Sequence, residues 1–152
     1  MSKKPTAADA ELILKLYDLR REAEMRKARS WCGGSFWPQG ADDVLKVANN
    51  YASAENAWYR QVLGYWDMAS SLVLRGALNE DLFFDCCSEM WFTFAKFSPF
   101  LKELRAKMQS PDFMLRVEKV ATRTKQGKDR LKKMEARAES FRKAQASAAK
   151  AS

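Results

Sequence analysis

Between Ala54 and Phe97 the sequence carries two apolar-faced runs separated by only a few turn-forming residues, an arrangement that admits little besides a pair of helices. Trp58, Val62, Tyr65, Ala69 and Leu72 recur at helical spacing and define one side of the first run. Gly76 follows where a helix closes in left-handed backbone. Asn79 can cap the next helix, and Glu80 and Asp81 fall in its first turn, where the helix dipole favours negative charge. Leu82, Phe83, Cys86, Cys87, Met90, Trp91 and Phe94 then supply a second apolar face. So short a connection predicts an antiparallel hairpin over 54–97, placed at the centre of the core.

The flanking sequence is punctuated in the same way. Thr6 with Asp9 reads as a capping box, and Leu12, Leu16, Leu19 and Ala23 predict a first helix running to about Arg29. Ser30 to Gly40 reads as the one real loop, because Gly33, Gly34 and Pro38 are expected to stop any helix. A further helix is expected from near Asp42, with a short interruption around Tyr51 to Ser53. Ser98-Pro99 and Ser110-Pro111 each open another, since Ser caps well and Pro fits the first turn. Only 6 Gly and 4 Pro occur in 152 residues, which permits long helices and few tight turns. The expected fold is therefore all-α: a bundle of about five or six helices over 1–122, followed by a basic helical or partly disordered tail over 123–152. In that tail Leu131, Met134, Ala138 and Phe141 keep a 3-4-3 spacing of about two heptads.

Charge is distributed unevenly. Residues 1–118 carry 16 Lys and Arg against 16 Asp and Glu, whereas residues 119–152 carry 11 against 3. The entire net charge of +8 thus sits in the last 34 residues, and any argument about phosphate or acidic partners concerns the tail alone. The three cysteines, two of them adjacent, make a poor disulfide framework and suit a reducing compartment. No apolar leader follows Met1. The richest segment, Leu82 to Phe97, is interrupted by Asp85, Glu89 and Lys96, whereas a membrane span needs roughly 18 apolar residues. A cytoplasmic protein is expected.

The absence of histidine removes the commonest general base, the commonest metal ligand and every nucleophile activated by imidazole. Three cysteines cannot complete a four-thiolate zinc site, and no Gly-rich phosphate cradle is present. Asp81, Asp85 and Glu89 fall on one helical face, which reads as the solvated side of an amphipathic helix rather than a cation site. Cys86 and Cys87 could form a redox switch, but at least one of them reads as an inert core thiol. The chain is expected to be no enzyme and to hold no metal or cofactor.

Two surfaces remain as candidates for binding. Tyr59 stands beside Trp58 and Trp66 beside Tyr65, about 100° apart on the helix, so the aromatic residues span more than one narrow face. Either that helix is buried on two sides or part of it is an interface. Trp31 and Trp37, with Phe36, pose the same choice in the loop, as a plug over the core or an outward cluster. Trp31, Trp37, Tyr59 and Trp66 are the candidate partner-binding residues. Lys128, Arg130, Lys132, Lys133, Arg137, Arg142 and Lys143 are the candidate phosphate-contacting residues, or else the solvated side of a soluble tail. The favoured reading is a protein-interaction or scaffold module that self-associates or docks a protein partner. The alternative is a nucleic-acid-associated protein that uses its tail for nonspecific phosphate contacts.

The stretch Tyr65-Trp66 and Leu72-Val73-Leu74-Arg75-Gly76-Ala77-Leu78-Asn79-Glu80-Asp81-Leu82-Phe83 resembles part of a bacterial family of helical proteins of unknown function. In that family an aromatic helix, a Gly turn and an acidic-capped Leu-Phe helix follow in this order. The resemblance covers about a third of the chain and implies a bacterial origin and a helical fold. It transfers no activity, cofactor or site residue. Some such proteins carry an N-terminal membrane anchor, which has no counterpart in this sequence.

Overall fold

A computed structural model describes residues 3–152; residues 1 and 2, with which the expected bundle domain opens, lie outside the described residues. Every regular element among the described residues is helical: α1 Ala7–Arg21, α2 Ala23–Ser30, α3 Ala41–Asn49, α4 Ala54–Leu74, α5 Glu80–Cys86, α6 Glu89–Phe97, α7 Leu101–Lys107, α8 Leu115–Thr122 and α9 Lys125–Ala151. A π-helical turn, Trp31–Ser35, extends α2, and a 3-10 turn, Ser98–Phe100, joins α6 to α7.

The local signals act as their chemistry requires. Thr6 Oγ1 accepts from the Asp9 N–H at 3.2 Å while the Asp9 carboxylate accepts from the Thr6 N–H at 2.7 Å. Ser53 Oγ accepts from the Asn56 N–H, Asn79 Oδ1 from that of Leu82, and Thr124 Oγ1 from that of Gly127. Gly76 sits at φ +72°, the left-handed position expected at the end of α4.

Four expectations about helix boundaries are corrected. The first helix does not run unbroken to Arg29. Glu22 adopts φ −57°, ψ 143°, and its carboxylate accepts from the N–H groups of Glu24 and Met25, so it caps α2. The paired glycines do not stop α2 either. The chain passes through Gly33 and Gly34 in the wider π turn, and the Phe36 N–H donates to the Trp31 carbonyl five residues back at 2.9 Å. The second arm of the expected hairpin breaks at Cys87 (φ −122°, ψ 41°), which leaves Cys87 buried and Cys86 exposed. Ser110-Pro111 opens a turn rather than a helix; α8 starts only after Met114, itself left-handed at φ 55°. These breaks raise the number of helices above the expected five or six.

Packing also departs from a central hairpin. The principal neighbours of α4 are α2, α8 and α3, and those of α6 are α9 and α8. The two arms meet through long side chains: the Tyr59 and Phe97 rings lie 6.3 Å apart, and the Ser70 hydroxyl donates to Met90 Sδ at 3.2 Å. Between them runs a chain of buried aromatic rings, Trp66 to Phe83 at 6.4 Å and Phe83 to Trp91 at 6.1 Å. The Trp91 indole donates to the carbonyls of Gly127 at 3.1 Å and Ala121 at 3.3 Å, tying α6 to the α8–α9 junction. A Cβ at Gly127 would meet the Ala121 carbonyl oxygen at 2.7 Å, so this close backbone approach requires glycine. The basic segment expected as a tail is thus packed along α6 and α8, with Leu131, Ala138 and Arg142 on its buried side.

Candidate functional site

The helix α9 presents two faces of opposite character. Gly127, Leu131, Ala138 and Arg142 form the side turned to the body. At 3.6 residues per turn, Lys125, Lys132, Lys143 and Lys150 fall within about 20° of one another, about 120° around the helix from the centre of that packed side, with Lys128 about 50° from them on the side toward the body. All five lysines are exposed. Lys133 and Arg137 are also exposed, about 90° and 130° around the helix from this stripe. Of the three acids on α9, Asp129 is exposed about 50° from the stripe, Glu135 accepts from the Ser98 hydroxyl at 2.7 Å and Glu139 pairs with Arg142 and, at 3.9 Å, with Lys143.

Two of the seven candidate phosphate contacts serve the fold instead. The Arg142 side chain is only 7% exposed; its Nε donates to the Pro38 carbonyl at 2.9 Å and its Nη2 to that of Lys96 at 3.4 Å. Arg130 donates to the Phe84 carbonyl and lies 3.4 Å from the centroid of the Phe84 ring, where desolvation lowers its pKa. Lys128, Lys132, Lys133, Arg137 and Lys143 remain at the surface, with the Arg137 guanidinium 5.6 Å from the Phe92 ring centroid and 5.8 Å from that of Phe141.

The aromatic candidates do not form a common surface. Trp66 is fully buried and Tyr59 is 7% exposed, so both are core residues and neither is available to a partner. The helix that carries them is buried on two sides. Trp31 stacks on Phe36 with centroids 4.6 Å apart, and Trp37 stacks on Phe141 at 5.0 Å while its indole donates to the Gly34 carbonyl at 3.0 Å. Of the two readings of the loop, the structure takes the plug: Trp31 and Trp37 are half-buried in separate stacks.

The three carboxylates Asp81, Asp85 and Glu89 are divided by the break at Cys87. Asp81 and Asp85 are exposed, whereas the Glu89 carboxylate receives the Arg29 Nε at 2.8 Å and Nη2 at 2.6 Å in a fork. This pairing holds the Arg29 pKa above its ordinary value. Among the described residues no group of three or more His, Cys, Asp or Glu side chains is placed to hold a metal ion.

One charged residue went unrecognised as part of the interior. Lys96, which in sequence only interrupts an apolar run, is completely buried. Its ammonium donates to the Cys32 carbonyl and lies 3.8 Å from the centroid of the Trp37 ring. Burial pushes its pKa down to about 8, and pushes the neighbouring Cys32 thiol up to about 11. A signal for this was present in Met90 to Phe97, where α6 is enclosed on nearly every side and a lysine has nowhere to turn but inward. Lys96 lines a cleft of about 400 Å³ between α2, the π turn and α6.

An all-helical protein whose basic C-terminal helix is docked along the body is what fold and surface together define. The chain belongs to the family described as a domain of unknown function (DUF4760), whose model matches residues 5–124 and so ends at the residue that caps α9. No curated protein and no solved structure matches it. No helix among the described residues is long and apolar enough to cross a membrane.

Proposed function

We propose that this chain is a non-enzymatic binding protein that engages the phosphate backbone of nucleic acid through the outer face of α9. The observation that carries this reading is the stripe of Lys125, Lys128, Lys132, Lys143 and Lys150, all exposed along one side of a helix whose other side is packed. From Lys125 to Lys150 the stripe extends about 37 Å at 1.5 Å per residue, close to one turn of duplex at roughly 34 Å. A membrane-surface helix needs large apolar side chains along the face it inserts. Phe141 is the one aromatic residue of α9, and it is stacked on Trp37. The face also lacks stacking aromatics, which favours sequence-independent backbone contacts over single-strand binding.

Fluorescence anisotropy with a short labelled duplex, between about 50 and 200 mM salt, tests the reading. With five contacts, log affinity is expected to fall against log salt with a slope of about −4.5. The triple variant K128Q/K132Q/K133Q removes two of the five stripe lysines and is expected to lose about 1.8 of that slope with its melting temperature unchanged. Binding that ignores salt, or that survives the triple variant intact, contradicts the proposal.

Docking of a protein partner keeps one surface in its favour. Leu14 is 66% and Tyr17 52% exposed, one turn apart on the outer side of α1. A concentration-dependent sedimentation coefficient that L14E/Y17E abolishes would support self-association through α1 instead.

A further inference from the structure

The cleft between α2, the π turn and α6 contains more positive charge than its own carboxylate neutralises. Lys96 is 0% exposed, yet no carboxylate of the described residues reaches its ammonium. Of its three donors one is taken by the Cys32 carbonyl, and the Trp37 face supplies only a weaker attraction. Glu89, the one acid on the cleft wall, is committed to Arg29 through the fork described above. Arg26, on the same wall, is exposed and has no ion-pair partner among the described residues. Thr93, 5% exposed, also lies on this wall. Val62 and Phe92 complete the wall with apolar surface.

A buried ammonium without a counter-ion is costly, and an anion in the adjoining cleft offsets that cost through its charge while its head forms charge-assisted hydrogen bonds to the exposed Arg26. The volume of about 400 Å³ lies within the range of small-molecule sites. Inorganic anions would leave the apolar wall uncovered. We propose that this cleft binds a small organic anion, its carboxylate or phosphate head held by the exposed Arg26 and attracted by the uncompensated charge of Lys96 behind the wall, its apolar body against Val62 and Phe92. The site is independent of the outer face of α9, from which it is separated by the packed side of that helix.

Isothermal titration with benzoate, phenyl phosphate and the neutral benzyl alcohol tests the assignment, on the full chain and on K96M, R26Q and K128Q/K132Q/K133Q. One of the two anions is expected to bind at least about tenfold tighter than benzyl alcohol, and which of them does so distinguishes a carboxylate from a phosphate head. K96M is expected to weaken that binding by about tenfold or more, and R26Q by several-fold. The triple α9 variant is expected to bind as the parent does, which keeps this test separate from that of nucleic-acid binding. K96M replaces an uncompensated buried charge by an apolar chain of similar length and is expected to fold. Should it fail to fold, R26Q, at an exposed position, decides the matter alone. The proposal is overturned if neither anion binds, if benzyl alcohol binds equally well, or if R26Q and a folded K96M bind as the parent does.

Discussion

Arg142 and Lys143 are neighbours in the chain and opposites in the structure. The Arg142 side chain is 7% exposed and bonded to two carbonyls from other segments, whereas that of Lys143 is 76% exposed and reaches only Glu139. The same contrast recurs along α9, where Arg130 and Arg142 bond to carbonyls of the body while the lysines of the stripe are exposed. Arginine takes the inner positions because its planar fork satisfies several carbonyls at once and stacks on Phe84 or Phe100, where an ammonium would leave donors unmet. A basic segment is therefore not one functional unit. Part of its charge fastens the helix to the body, and only the rest is free to attract anything.

Four measurements break or sharpen this contrast. The largest effect is expected at the inner side: Arg142→Ala strips the Pro38 and Lys96 carbonyls of their donor and should cost about 2–4 kcal/mol in urea unfolding, with Lys143→Ala within about 0.5 kcal/mol of the parent. Next comes Gly127→Ala, whose methyl would collide with the Ala121 carbonyl. A loss of about 1–3 kcal/mol is expected, with a change in tryptophan emission as the Trp91 indole loses its acceptors; an unchanged spectrum and stability would show that the α8–α9 junction tolerates separation.

The third measurement is a pH series. Folded Lys96 releases its proton near pH 8, while the unfolded lysine keeps it to 10.5. Between these values unfolding takes up a proton, so raising the pH favours the folded state. Stability should climb by up to about 1.4 kcal/mol per unit just above pH 8. Above about pH 9 the climb is opposed by Cys32 and Cys87, whose buried thiols are both pushed up to about 11 and stay protonated after their unfolded counterparts ionise. K96M should abolish the rise; a rise that persists in K96M assigns it to another group. The smallest effect belongs to the outer face, where K128Q/K132Q/K133Q should move stability by no more than about 0.5 kcal/mol.

What could be read in advance follows from how far each signal reaches. The caps at Thr6, Ser53 and Asn79 and the left-handed Gly76 depend on three or four adjacent residues, and the sequence displays them directly. So does the all-helical class, and with it the family resemblance around Gly76. The break at Glu22 was not legible, because Glu favours helix interiors and caps here only through a side chain folded back on its own backbone. The left-handed Met114 and the break at Cys87 are settled by packing with distant segments, which local preference does not register. At the candidate site, the count of cations was legible but their division was not. Which arginines face inward depends on the rotation of α9 against α6, and Leu131, Met134, Ala138 and Phe141 fix that rotation only to within a broad apolar side. Lys96 was missed for a related reason: a lysine in an apolar run reads as an outlet to solvent unless the helix is known to be enclosed.

The carboxylate of Asp9 has a consequence for the order of folding. One of its oxygens closes the cap of α1, and the other accepts the Asn79 N–H at 2.7 Å from 70 residues away. The first bond can form as soon as a single turn of helix exists, while the second must wait for the intervening chain to come together. Asp9 thus acts as a latch set early and closed late, and a hydrogen-exchange experiment should find α1 protected in its own first turn before the start of α5 is.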